Sequence, residues 1–337
     1  MSIKKYTYLF VFFSCFIAII LSSANYIVDP YMLFNADRIS GFNEKKVAVS
    51  NYSALYKPYN VIDIQPQTII VGNSRPEMGI DPESSCWPER NGTVYNLTFP
   101  GLSVHAQVGA LFHAVAASDV RHILLSVDFS DFLYSREKIK EVSFPKQGSE
   151  FFDRLLVDDG FEESGESWLK TIQDYSSTLF SLNTLFDSIF TVISQSPDSV
   201  DRTSLGFNPA LDYDEIVHRE GAWVLFEQKL GELNERFSKT DQTIYDSKQW
   251  SLELKSIDQA IQLAIERDIQ LIVFMNPYHY TYLESIYDAG YWNEFENFKR
   301  SLTKLVNRYD EYQVALWDFS LYSKYTVSST PKKIDKN

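Results

Sequence analysis

Five short runs of branched and large aliphatic residues, each closed by a turn or polar residue, constrain this chain most. They are Gln67–Gly72, Thr93–Leu97, His122–Asp128, Gln270–Pro277 and Gln313–Asp318. Runs this short and this continuously apolar suit strands buried on both faces, as in parallel sheets. Helical spacing lies between them, alanine-rich at Val104–Ala117 and recurring at 247–267 and 292–308, just ahead of a strand run. Strands alternating with helices predict an α/β domain with a five-stranded parallel sheet covered on both faces. The alternation breaks at 135–245, where the acidic stretch Asp158–Glu163 precedes apolar helical segments around 167–195 and 212–238. A mostly helical subdomain inserted after the third strand is expected there. Ligands of open α/β sheets bind at the carboxyl ends of the strands. The insertion is therefore placed to form a lid or a substrate wall, or else only packs.

The N-terminus sets the compartment. Lys4 and Lys5 precede an uncharged apolar run from Tyr6 to Leu21. With its flanks it reaches about 20 residues, and at about 1.5 Å per residue it can cross a bilayer. Basic residues before the run and none just after it predict an N-in, C-out orientation. Residues 1–28 are thus read as a transmembrane anchor; the rival is a cleaved signal peptide, because Ser22-Ser23-Ala24 resembles a cleavage site. Either reading puts the rest outside the cytoplasmic membrane, in the periplasm or beyond. Residues 29–65 read as a linker carrying interfacial aromatics, and 66–337 as the α/β domain. A formal net charge of −14 repels phosphate backbones, so no nucleic-acid partner is expected. Two cysteines exclude a disulfide scaffold and a cysteine-rich zinc or iron–sulfur site. Cys15 falls in the apolar run, and Cys86 is expected as a buried thiol, with an intermolecular disulfide as the alternative. The chain has no His-Glu-x-x-His, acidic calcium loop, phosphate loop or G-x-G-x-x-G, so neither metal nor cofactor is expected.

The strongest local signal is Val71-Gly72-Asn73-Ser74-Arg75-Pro76. A serine just past a buried parallel strand stands at the rim where substrate binds. Gly72 permits a sharp turn, and N–H groups around Ser74 can donate to an oxyanion. The bland alternative is a helix cap. Asn96 and Gly101 follow the second strand and offer a side-chain and a backbone N–H; Asp128 ends the third and can orient a base or contact a hydroxyl. Each can equally shape a turn or cap a helix. A serine nucleophile needs a base. Of the five histidines, His105 and His113 fall in a helical pattern, His122 starts a strand and His218 lies in a charged stretch of the insertion. Only His279, in Asn276-Pro-Tyr-His-Tyr280, follows a strand at its carboxyl end; a packed loop histidine is the alternative.

The Gly72-Asn73-Ser74 turn resembles the first block of the SGNH (GDSL-like) hydrolases, with Asn73 in place of the usual Asp. The chain looks most like the membrane-anchored SGNH-like proteins encoded with bacterial exopolysaccharide systems. That likeness is carried by Asp29-Pro-Tyr31, Ile70–Arg75, Tyr95–Gly101, Val127-Asp-Phe129 and Leu316–Ser320. The resemblance implies a flavodoxin-like three-layer sandwich and acyl chemistry on esters, often O-acetyl groups of surface polysaccharides. Ser74 would be the nucleophile, as an esterase or O-acetyltransferase, with Gly72 and Gly101 flanking the oxyanion hole. Two departures stand out. Asp128 occupies the place of a donor Asn, and an anionic Asp cannot donate. The family places Asp-x-x-His after its last strand, whereas here Asp318 ends the fifth strand and no histidine follows His279. The alternative expectation is therefore a catalytically inactive glycan-binding or assembly factor of the cell envelope.

Overall fold

The computed structural model describes residues 3–135, 149–165, 167–239, 242–244 and 251–329. The chain opens with helix α1 (Ile3–Val28), followed by α2 (Ser53–Ile64), β1 (Thr68–Gly72), the short α3 (Ser74–Gly79), β2 (Val94–Thr98), α4 (Val104–Ala117) and β3 (His122–Val127). The insertion carries β4 (Tyr134–Ser135), α5 (Ser149–Phe152), α6 (Trp168–Leu179), α7 (Leu182–Ile193), α8 (Asp214–Glu220), α9 (Trp223–Lys239) and β5 (Gln242–Thr243). Then come α10 (Leu252–Glu266), β6 (Gln270–Met275), α11 (Tyr280–Asp288), α12 (Trp292–Val306) and β7 (Val314–Asp318).

The five long strands form one all-parallel sheet in the order β2-β1-β3-β6-β7, while β4 and β5 make a separate antiparallel pair. The expected α/β class and its five strands are present. Register puts Ile69, Ile123 and Leu271 side by side, then Val71, Leu125 and Val273, all fully buried. These rows share one core with Val108, Ala110 and Leu111 of α4, Ile257 and Ile261 of α10, and Phe295, Phe298 and Leu302 of α12. Three crossovers, β2 to β3, β3 to β6 and β6 to β7, step in one direction, and β1 to β2 steps the other way. Right-handed crossovers therefore put α4, α10 and α12 on one face, and α3 with the segment after it on the other. That second face is covered over β1 and β2. It stands open at β7, where Trp317 is 55% and Phe319 is 49% exposed. The expected three layers are thus complete on one side and partial on the other among the described residues.

Two expectations change. Residues 29–65 are not a loose linker: Leu33, Tyr56, Lys57, Asn60 and Val61 are buried, and α2 packs on α4. Buried polar positions such as Lys57 and Asn60 hide that helix from a periodicity search. Cys86 is exposed, because its segment crosses the sheet as an open loop rather than as an element. The helix α1 is long and apolar enough to span a membrane, and its most apolar window is unburied. The polar tail beyond residue 329 lies outside the described residues, as does 136–148 of the insertion.

Candidate functional site at the sheet edge

The strand order reverses between β1 and β3, so their carboxyl ends flank the point where open α/β sheets form a crevice. β1 is buried throughout and delivers Gly72 to that edge. A Cβ on Gly72 would sit 2.7 Å from the Ser126 Cβ and 2.8 Å from the Pro76 Cγ. Only glycine lets β3 and α3 approach this closely. Asn73 caps α3: its Oδ1 accepts from the Arg75 N–H at 3.0 Å. Ser74 is the first residue of α3 and is exposed. Its hydroxyl makes no hydrogen bond among the described residues.

Charged groups gather beside it. Asn73 Nδ2 donates to Asp131 Oδ2 at 2.9 Å. Arg75 pairs through Nε with the buried Asp128, and its guanidinium lies 5.0 Å from the Tyr278 ring and 4.8 Å from the Tyr282 ring. Asp128 also caps the turn that follows β3, accepting from the Ser130 N–H at 3.1 Å and the Ser130 Oγ at 3.0 Å. Tyr278 accepts from the Phe129 N–H at 2.8 Å, which pins the β6 end to the β3 end. Burial, and next the Asp128 charge, push the Asp131 carboxyl up to about 7. Burial likewise pushes Glu253, on α10, up to about 8.

The remaining sequence-derived candidates are placed as follows. Gly101, in the left-handed region at φ 79°, is exposed just past β2 with open space where a Cβ would point. Asn96 is fully buried; its Nδ2 donates to the Pro76 and Ile80 carbonyls, both at 3.0 Å, and its Oδ1 accepts from Thr98 Oγ1. Both its N–H groups are thus spent on holding the end of α3. His279 caps α11: Nδ1 meets the Thr281 Oγ1 at 2.8 Å, and Nε2 meets the Ser328 carbonyl at 2.8 Å. A carbonyl only accepts, so Nε2 carries the proton and Nδ1 is the acceptor. The other histidines are held by Ser256 and the Asp159 carbonyl (His105), the Pro58 carbonyl and Leu156 N–H (His113), Thr68 (His122) and the Asp214 carbonyl (His218). No histidine hydrogen-bonds Ser74.

Sequence reading missed the buried ion cluster behind the edge. Lys57 of α2 lies 3.3 Å from Glu77 of α3, and Arg202 of the insertion lies 3.3 Å from the other Glu77 oxygen. Lys57 Nζ also donates to the Thr98 carbonyl at 2.8 Å and the Gly206 carbonyl at 3.1 Å. Burial lowers the Lys57 ammonium to about 8 against the opposing pull of Glu77. Arg75 and Asp131 were also missed, although the Asp128-x-x-Asp131 spacing after a strand is a signal that could have found the second. Among the described residues no group of histidine, cysteine or carboxylate side chains is arranged to hold a metal ion. No protein-family model matches this chain, and no curated protein matches it in sequence.

Proposed function

We propose that this is an exported, membrane-tethered SGNH-like protein that holds an acylated cell-surface polysaccharide along the carboxyl edge of its sheet, as a binding or assembly factor. One observation carries the reading: Ser74 is exposed at the edge, yet all five histidines are engaged elsewhere and none reaches it. A serine without a general base forgoes about 10²–10⁴-fold of rate, and more when the triad works as a unit. The strand order, that of doubly wound flavodoxin-like sheets, supports the SGNH-like part of the proposal. The exposed pair Trp317 and Phe319, stacked at 6.1 Å between centroids, adds a flat aromatic surface of the kind sugar rings pack on. With a net charge of −14, the preferred glycan is neutral rather than polyanionic.

A second reading is favoured by Asp131. A carboxyl pushed up to about 7 and bonded to Asn73, next to Ser74, is a candidate general base near neutral pH. In that reading the protein is an esterase or O-acetyltransferase that works through a Ser74 acyl-enzyme. The test uses the full chain in detergent with a fluorophosphonate and p-nitrophenyl acetate, and with acetylated and deacetylated glucomannan as neutral glycan probes. The binding reading expects no labelling of Ser74, no ester turnover, and retention of the acetylated glucomannan that weakens in Trp317→Ala. Labelling and turnover that vanish in Ser74→Ala, and drop in Asp131→Asn, establish the catalytic reading instead.

A further inference from the structure

The helix pair α6–α7 is built inside out for a water-facing element. Helices on a protein surface bury an apolar stripe and show a polar face to solvent. In α7 the buried residues are Thr184, Ser188 and Thr191, while Leu182, Phe186, Ile189, Phe190 and Ile193 are each more than half exposed. In α6 the buried residues are Asp174 and Thr178, and Trp168, Leu169 and Ile172 are each more than half exposed. Phe180 at the corner is 55% exposed. Side chains of this size exposed together exceed the few hundred Å² of apolar patch that soluble monomers carry.

Every charge on the pair is turned inward. Only Lys170, Asp174 and Asp187 are charged between residues 168 and 193. Lys170 and Asp174 pair at 3.3 Å, Arg154 joins Asp174 at 2.6 Å, and Asp187 accepts from the Tyr31 hydroxyl at 2.5 Å. The backbone carbonyls at the corner are satisfied too. Asn25 of α1 is fully buried, and its Nδ2 lies 3.2 Å from the Thr178 carbonyl, 2.9 Å from that of Leu179 and 3.1 Å from that of Ser181. Its Oδ1 accepts from Ser188 Oγ at 3.1 Å. Satisfied backbone groups and absent outward charge are what a hydrocarbon environment demands.

The neighbour names the occupant. Both helices pack on α1, whose covered positions Ala18, Leu21, Ser22, Ala24, Asn25 and Val28 form a single stripe toward its C-terminal end. The rest of α1, including Ile17, Ile19 and Ile20, is exposed and belongs to the apolar span. The outward face of α6–α7 thus continues the surface of α1, among the described residues the one helix long and apolar enough to cross a bilayer. We propose that the α6–α7 pair is a lipid-facing element that sinks its outward side chains into the leaflet beside the C-terminal end of α1. The chain then meets the membrane through three helices rather than by a single tether.

The test uses the full chain with Cys15→Ser and Cys86→Ser, carrying one new cysteine labelled with the fluorophore NBD and reconstituted in phosphatidylcholine vesicles. Labels go at Phe186→Cys and, independently, at Ile193→Cys. Ile17→Cys on α1 is the lipid reference and Arg308→Cys, at an exposed position two residues past α12, the aqueous reference. Both α7 labels are expected to be quenched by nitroxides on the acyl chains as strongly as position 17. They should also resist aqueous dithionite about tenfold or more relative to position 308, as expected for side chains below the headgroups. Dithionite reduction as fast as at position 308 overturns the proposal. Protection from dithionite without quenching by lipid nitroxides also overturns it, since a second copy then covers the face.

Discussion

Replacing Asp131 with Asn probes the charge balance at the sheet edge. The carboxyl lies among buried groups, with Asp128 as its like-charged neighbour, and is pushed from 3.8 up to about 7. A raised carboxylate means the folded chain holds this proton over a window in which the unfolded chain has lost it. Stability therefore falls as pH rises from about 4 to about 7. At about 1.36 kcal/mol per pH unit, the gap amounts to about 4 kcal/mol of destabilisation once Asp131 is ionised. Asn imitates the protonated form and can still accept from the Asn73 amide. Asp131→Asn should match the natural chain at pH about 4 and exceed it by about 2–4 kcal/mol at pH about 8. Glu253, itself raised in part by the Asp131 charge, adds in the same direction. Urea unfolding of the full chain in detergent, followed by tryptophan fluorescence across that range, reads the difference. A gap between the two proteins that does not change with pH would refute the reasoning, because the substitution would then act through packing and not through charge.

Glu77→Gln leaves Lys57 and Arg202 buried without a carboxylate, and urea unfolding should show a loss of about 3–5 kcal/mol. Gly72→Ala drives a Cβ into Ser126 and Pro76 and should cost about 1–3 kcal/mol in the same assay. Asn96→Leu removes the donors to the Pro76 and Ile80 carbonyls; amide exchange should speed up through α3 while the sheet core stays protected. Ser74→Ala should leave stability within about 0.5 kcal/mol, since the exposed hydroxyl bonds to nothing described; a larger loss means that it has a structural partner.

The parallel sheet was legible because its strands are buried on both faces and read as unbroken aliphatic runs; the boundaries of β1, β3 and β7 fall within a residue or two of those runs. The edge position of Ser74 followed from the same logic, since a residue just past such a strand has only the carboxyl edge to occupy. What stayed hidden depends on partners distant in sequence. Asn96 was offered as an oxyanion donor because its residue type permits it; that both its N–H groups face carbonyls of α3 is a fact of packing. Lys57 looks like a solvated linker lysine until Glu77 and the Thr98 and Gly206 carbonyls surround it. The inverted polarity of α6 and α7 was also out of reach. Periodicity finds an apolar stripe but does not say which way it faces.

The insertion gives these separate features a common frame. Its helices α6 and α7 are fastened to α1 through Asn25. Its middle runs along the outer edge of the sheet: the Asn96 N–H donates to the Leu205 carbonyl at 2.9 Å, Gly206 accepts from Lys57, and Arg202 pairs with Glu77 behind Ser74. Its last helix, α9, closes on the carboxyl edge, where Arg236 donates to the Ser130 carbonyl at 2.6 Å and Phe226 packs on His279 at 4.9 Å. One continuous segment therefore touches the apolar helix, the β2 flank and both sides of the candidate site. Of the three expectations for it, this arrangement matches a wall beside the sheet edge more closely than a lid or plain packing. Glu77 sits where the insertion meets the sheet edge, one turn beyond Ser74 and held by a lysine from α2 and an arginine from the insertion. An insertion anchored in this way holds the sheet edge at a set position relative to α1. Under the proposed function, handling a surface polysaccharide next to a bilayer would require that position more than a mobile cover.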